Sequence, residues 1–301
     1  MKFIVFYFFL ILGSLNLNAQ NIQYKTLYDQ PPHPRFNVNV DLINLDMGVK
    51  NLDGTSANIG TFGFYEPVEG IGAQFNIKKS IFALGKMGYK DYPGNLDVSL
   101  GGYLMLQNKS RKKPTKVSLN KEYKGSQYST NVYGDRVETR TELETFVKVP
   151  ANRFIQRGVR AGYYMKRGPF KSDEFGEEMS LTSIGLYAGI TARSIKNVFI
   201  ETAKYGIKYN SVGDDIALDF LFVPVNVFRD LNNNKENISP AVKTALGNFP
   251  LGFRIGWYRY QVEQKARTGK KFGGAISAEA GYKPYQGFFI NASYAITMVK
   301  K

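Results

Sequence analysis

Three consecutive stretches near the carboxyl end decide how this chain is read: LGFRIGWYRY at 251–260, FGGAISAEAGYK at 272–283 and GFFINASYAITMVK at 287–300. In the first, Leu251, Phe253, Ile255 and Trp257 alternate with Gly252, Arg254, Gly256 and Tyr258. In the second, Phe272, Gly274, Ile276, Ala278, Ala280 and Tyr282 alternate with Gly273, Ala275, Ser277, Glu279 and Gly281. In the third, Ile290, Ala292, Tyr294, Ile296 and Met298 alternate with Asn291, Ser293, Ala295 and Thr297. Successive side chains of a strand point to opposite faces, so each run has one apolar face and one face of small or polar groups. A soluble sandwich uses the apolar face for a core. A membrane barrel turns it to lipid and keeps small, polar and charged groups inside. The alternation alone fits both.

The amino end bears on the choice. Lys2 precedes an apolar run from Phe3 to Leu12, and a polar stretch ends at Leu17-Asn18-Ala19-Gln20. That order describes a cleavable secretory signal over residues 1–19, cut after Ala19. The 301 residues contain no cysteine, which excludes a lipidated cysteine, disulfides, thiolate metal sites and a cysteine nucleophile. No later segment is apolar for the roughly 18 residues a helical span needs. An exported chain of this kind is either soluble or held in a membrane by its own fold. Forty Lys and Arg against 25 Asp and Glu give a net charge of +15. On an exported protein this charge suits phosphate-bearing lipid, anionic solutes or an acidic partner, and no nucleic-acid motif is present.

Residues 20–35 read as an extended lead-in, because Pro31-Pro32-His33-Pro34 cannot join a sheet ladder. Strands are expected at Phe36–Leu42, Ile59–Tyr65, Ile71–Ile77, Ile81–Tyr89 and Leu96–Leu106. The basic stretch Asn108–Asp135 is a long loop or an extension of the hairpin around it. Further strands are expected at Val137–Val149, Val159–Met165, Ile184–Ala192, Val198–Tyr209 and Ile216–Phe222, with a turn at Asn210–Asp214. Ser239, Pro240 and Gly247 suit the cap, first position and end of one short helix in the break Pro224–Phe249. With the three carboxyl-end runs this makes about 13 strands. Bacterial single-chain barrels have an even number, so the expectation is about 12, with about 14 next.

A cleavable signal, no cysteine and aromatic-rich alternating strands to the last residues resemble a Gram-negative outer-membrane β-barrel, here over residues 36–301. The resemblance implies an all-β, antiparallel transmembrane barrel in the outer membrane, with outer-membrane lipid as its surroundings. Barrel enzymes of that architecture generally use a histidine as acid or base. The only histidine here is His33, flanked by prolines and read as a solvated tail residue, so the protein is expected not to be an enzyme. Asp97, Asp219 and Glu279 fall on expected inner faces together with Arg160 and Arg254, and are read as a candidate lumen charge network. Asp230-Leu231-Asn232-Asn233-Asn234-Lys235-Glu236 spaces oxygen groups as a calcium loop does, but lacks the glycine and glutamate such a loop needs. No metal and no cofactor is expected. Tyr103, Tyr164, Tyr187 and Tyr258, beside glycines, either fill the interior or line a solute path.

Three functions compete on these residues. The leading one is a structural or accessory subunit of an outer-membrane assembly, for export, insertion or envelope attachment. It would meet other envelope proteins through a basic loop at Lys109, Arg111, Lys112, Lys113 and Lys116. A second is a pore or uptake channel for small anionic solutes. A third is a soluble exported β-sandwich that binds a lipid or a polymer. Counting back from a periplasmic carboxyl end puts the basic connections at 108–135, 167–179 and 263–271 in the periplasm. It puts Lys283–Gly287, Arg193–Lys196 and Pro224–Phe249 outside.

Overall fold

The structure, a computed structural model, describes residues 22–31, 33–48, 55–83, 95–130, 136–171, 178–230, 250–262, 273–284 and 287–300. The signal at 1–19, the helical turns at 239–247 and the oxygen-rich stretch from Leu231 on lie outside these residues. The described residues form eleven strands: β1 Tyr24–Asp29, β2 Phe36–Gly48, β3 Thr55–Val68, β4 Ile71–Ala83, β5 Leu96–Thr130, β6 Arg136–Lys171, β7 Glu178–Thr202, β8 Gly206–Asp230, β9 Leu251–Gln261, β10 Gly273–Lys283 and β11 Gly287–Lys300. Each of β2 to β11 pairs antiparallel with its sequence neighbours, and β11 returns to pair with β2. The result is a closed barrel of ten strands, with β1 added outside on β7. Closure removes the two-sheet sandwich reading.

Cross-strand register carries the sequence alternation around the ring. Leu104, Val159, Ile190, Leu218, Ile255, Ala280 and Ile290 stand opposite one another in one continuous outward row. Most of that row is exposed, Ile190 at 61% and Ile290 at 56%, as are Leu186, Phe220 and Phe288 on the same face. Exposed aliphatic rings of this extent have one natural solvent, the hydrocarbon of a bilayer. The inward row beside it runs Tyr103, Arg160, Gly189, Asp219, Arg254, Gly281 and Phe289. In β2 the register shifts between Val40 and Asn44, and Leu42 and Ile43 both face out. A bulge there changes the parity, so Asn37, Asn39 and Asp41 point inward before it and Asn44 and Asp46 after it.

The barrel has ten strands where 13 alternating runs suggested about 12, because one run falls partly in β4, two runs join in β6 and one is divided between β7 and β8. Ile81–Ala83 belongs to β4, and the rest of Ile81–Tyr89 lies outside the described residues. Val137–Val149 and Val159–Met165 are both parts of β6. Val198–Tyr209 divides at Ala203–Tyr205 between β7 and β8, and no turn exists at Arg193–Lys196 or Asn210–Asp214. Gly206 closes the true turn with φ of 65°, a left-handed conformation that costs glycine nothing. The lead-in also holds a strand, β1, ahead of its prolines.

Four strands run past the barrel at the end where Phe36 lies opposite Lys300. There β4 follows β5 only to Leu104 and β9 follows β8 only to Val212. The β5–β6 ladder continues alone to Thr130 and Arg136, so over its described residues 108–130 the basic stretch is the second of the two expected forms, an extension of the hairpin into a β-ribbon. On the same side β1 pairs with Val198–Thr202 of β7. Val117, Leu119, Val149, Ala151, Val198 and Ile200 pack together here at 0–1% exposure, a second apolar core outside the lumen. Residues 167–171, expected on this side, sit at the opposite end of β6.

The two surfaces should respond differently to charge. Leu100→Arg, Ile190→Arg or Phe220→Arg should each cost about 2–4 kcal/mol if near the bilayer midplane. Tyr123→Arg on the ribbon should cost little, and equilibrium unfolding in phospholipid vesicles compares them.

Candidate functional site in the barrel lumen

The candidate lumen residues occupy separate tiers. In the middle tier Asp219 of β8 lies between two arginines. Arg160 Nε and Nη2 donate to its two oxygens at 2.6 and 2.5 Å, and Arg254 Nε and Nη2 donate at 3.0 and 2.8 Å. Asp219 is fully buried, and both arginines are at least nine-tenths buried. Gly189 stands between Arg160 and Asp219 in the cross-strand row, and a Cβ there would come within 2.6 Å of Asp219 Oδ1. The absent side chain is what lets the guanidinium reach its carboxylate. Arg160 Nη1 also donates to Gln74, Gln74 donates to the Tyr187 hydroxyl, and Arg254 Nη1 donates to Ser99. Tyr187 lies 5.7 and 5.4 Å from the two guanidinium carbons. The tier therefore ties six strands, β4 to β9, across the lumen.

Glu279 and Asp97 do not join that cluster. Glu279 of β10 accepts from Lys78, from Tyr258 and, at 3.2 Å, from Asn76. Lys78 also donates to Asn291 at 2.8 Å. Asp97 accepts from Lys283 at 2.7 Å, and nearby Lys166 stands 3.4 Å from Asp46. The alternation marks all of these as inward positions once the parity change in β2 is known. What it lacks is the pairing, which depends on which strands face each other across the ring.

A further tier closes the Phe36/Lys300 end. Glu66 is fully buried and accepts from the Tyr103 hydroxyl at 2.6 Å, from Arg193 at 2.7 Å and from the Gly70 N–H. Arg193 Nε reaches Asp215 at 3.1 Å and its guanidinium stacks 3.8 Å from the centre of Phe64. His33 is no solvated tail residue: its Nε2 lies 2.8 Å from Glu66 Oε1, and its ring meets Phe154 edge-on at 6.0 Å. The lead-in folds over this end, with Glu66 N–H donating to the Arg35 carbonyl at 2.7 Å.

Between the tiers a cavity of about 60 Å³ remains, lined by Phe62, Tyr103, Arg160, Tyr187, Arg254 and Tyr258 among others. It has room for roughly a few waters. Chemically the arrangement is self-compensating, because every arginine at the cavity already holds a carboxylate. Among the described residues no three His, Cys, Asp or Glu side chains form a metal-holding group. The basic residues Lys109, Arg111, Lys112, Lys113 and Lys116 are far from this lumen cluster, exposed on the ribbon strand β5.

No protein-family model and no curated protein matches the chain. Among solved structures it is similar to a bacterial polysaccharide outer membrane secretin at 9% identity and a TM-score of 0.22, covering 90% of this chain and 100% of that one. OmpT, an outer membrane protein of Vibrio cholerae, gives 7% identity and a TM-score of 0.19 over 88% of this chain and 96% of that one. An anion-selective porin from Comamonas acidovorans gives 9% and 0.17 over 92% of this chain and 100% of that one. At these scores the likeness carries no argument about what this chain does.

Replacing the shared carboxylate tests the middle tier. Asp219→Ala leaves two buried guanidinium groups without their partner and should cost about 3–5 kcal/mol. The urea midpoint in vesicles measures it, and Glu122→Ala, whose partner Lys124 is exposed on the ribbon, serves as the comparison. On its own geometry, the chain is a β-barrel of the outer-membrane kind: ten antiparallel strands closed on themselves, apolar towards lipid and charged within.

Proposed function

We propose that this barrel, seated in the outer membrane, is a non-enzymatic structural or accessory subunit of an envelope assembly, and not a solute channel. The observation that carries the proposal is the filled lumen. Barrels of about 8 strands are filled by side chains and those of about 16 leave an aqueous channel. This one has ten strands and a residual cavity of about 60 Å³. Arginines that would attract an anion in a pore are already bound to Asp219, Glu66 and Asp215.

The ribbon supplies the surface for a partner. Between Met105 and Arg157 there are 12 Lys and Arg against 5 Asp and Glu, a net +7 of the chain's +15. Lys116 pairs with Glu144, and its hydrogen bond holds that carboxyl below the usual carboxylate range. Lys109, Arg111, Lys112 and Lys113 are exposed, as are Tyr123, Tyr128, Leu143 and Phe146 nearer the tip. An isolated two-stranded ribbon is marginally stable in water. Aromatic groups among cations on such a ribbon suit an acidic protein surface, one on the periplasmic side if the carboxyl end lies there.

Two measurements test the reading. The purified protein should give little steady conductance in planar bilayers. Gentle detergent extraction should bring down a partner, and glutamine at Lys109, Arg111, Lys112 and Lys113 together should weaken that association while the heat-dependent gel shift of the barrel is kept. A robust anion-selective current, diminished by Arg160→Gln or Arg254→Gln, would make the pore the function instead.

A further inference from the structure

The rim from which the ribbon leaves carries a second arrangement. Below the outward apolar row, Arg111 of β5 lies opposite Arg153 of β6, and Arg153 lies opposite Lys196 of β7. Directly opposite residues share a face, so three cations stand side by side on the surface continuous with the lipid-facing side. Like charges so placed destabilise a sheet unless an anion joins them. The neighbouring carboxylates are fewer than the cations: Glu144 is held by Lys116, Asp215 by the inward Arg193 and Asp29 by Asn152, and Asp214 alone, 2.6 Å from Arg259, also faces Lys196. Nε of Arg153 is buried without a hydrogen-bond partner.

Lys196 also lines a half-open groove of about 600 Å³ at this rim. Lys116 and Arg259 line it too, and Ile276 and Tyr294 form an apolar wall. Ile276 lies opposite both Arg259 and Tyr294 in the register, so the apolar wall belongs to the lipid-facing rows of β10 and β11. Trp257 lies on the same face, its ring 5.2 Å from the Arg259 guanidinium carbon. Tyrosine and tryptophan beside arginine mark the level where barrel surface passes from hydrocarbon to headgroups. A small soluble anion would use the cations and leave the apolar wall uncovered. A ligand with a phosphate at one end and a hydrocarbon chain at the other uses both.

We propose that this groove seats one anionic phospholipid of the adjoining leaflet, its phosphate held at Lys196 between Arg153 and Arg259 and its upper acyl chain along Ile276 and Tyr294. The proposal rests on the barrel being seated in a membrane with this rim at the lipid surface. It goes beyond general contact with lipid by naming a headgroup charge and the residues that select it.

Native mass spectrometry of the full mature chain in detergent tests it, with phosphatidylglycerol and phosphatidylcholine as probes and inorganic phosphate as competitor. We expect one phosphatidylglycerol to be retained in preference to phosphatidylcholine, with phosphate unable to displace it. Lys196→Gln and Arg153→Gln should each weaken retention about fivefold, as expected for one interfacial cation. Ile276→Ser should weaken it as well. Equal retention of the two lipids, or retention unchanged in all three variants, would overturn the proposal. Displacement by phosphate alone would replace the lipid with a soluble anion. Heat-dependent gel migration of the same samples reports the barrel separately: all three variants keeping both the shift and the lipid refutes the groove, whereas loss of the shift in the unaltered protein refutes the membrane barrel itself.

Discussion

A sheet in lipid has no edge to spare. Water cannot satisfy an open row of N–H and C=O groups there, and each unpaired group costs several kcal/mol. The β7–β8 and β11–β2 ladders, which complete the ring, are therefore the constraint on which the rest depends. Once the ring is closed, strand parity has consequences that no residue can avoid. One parity faces hydrocarbon and the other faces nine neighbouring strands across a narrow lumen. Leu104, Ile190 and Ile255 can only be apolar, and Arg160, Asp219 and Arg254 can only be paired. The bulge in β2 is tolerated because it exchanges Leu42 for Ile43 on the lipid side and Asp41 for Asn44 inside, leaving each face of one kind.

Narrowness makes the lumen electrostatics cooperative. A buried ion pair is a weak source of stability against an apolar replacement, since desolvation offsets most of the attraction, but breaking one is costly. Such pairs specify geometry more than they add stability. Here the specification acts across the ring: Lys78 on β4 holds Glu279 on β10, Asp97 on β5 holds Lys283 on β10, and Arg254 on β9 reaches Ser99 on β5. These contacts fix which strand faces which, a quantity that backbone ladders between neighbours leave free. They also account for the small cavity, because a side chain reaching across the lumen to its counter-ion cannot leave an open path.

The fold was legible in the sequence to the extent that one face of a strand meets lipid. Leu96–Leu106, Ile184–Ala192 and Ile290–Met298 alternate without a fault, and each lies within a barrel strand. Alternation fades where a strand leaves the membrane, although hydrogen bonding continues. That is why β6 reads as two strands and why Arg193–Lys196 reads as a turn: the side chains change solvent while the backbone does not change direction. The inward position of the charged residues was legible for the same reason as the apolar ones. Their partners were not, because Arg160 and Asp219 are neighbours only through Gly189 on an intervening strand. His33 was misread for a different reason. Flanking prolines do keep it out of any ladder, but its position is set by Glu66, a residue remote in sequence that Tyr103 and Arg193 already hold inside and whose Oε1 lies 2.8 Å from the imidazole.

The ribbon shows what the same chain does when lipid no longer dictates both faces. Pro114 stands directly opposite Pro150, a pair in which neither residue can donate to the other. Such a pair fits a ladder only at a position without mutual hydrogen bonds, where the missing donors lie along the ribbon's outer edges. Proline and lysine on an edge discourage addition of a further strand. Edge pairing is thus opposed over the part of β5 that carries Lys109, Arg111, Lys112 and Lys113, and contact is left to the faces. One face near the root is consumed by the Val117, Leu119 and Val149 core, and the other presents Lys112 and Lys116. The ribbon's exposed face therefore offers contact by its flat cationic side and not by its edges, which is the surface the proposed assembly role would use.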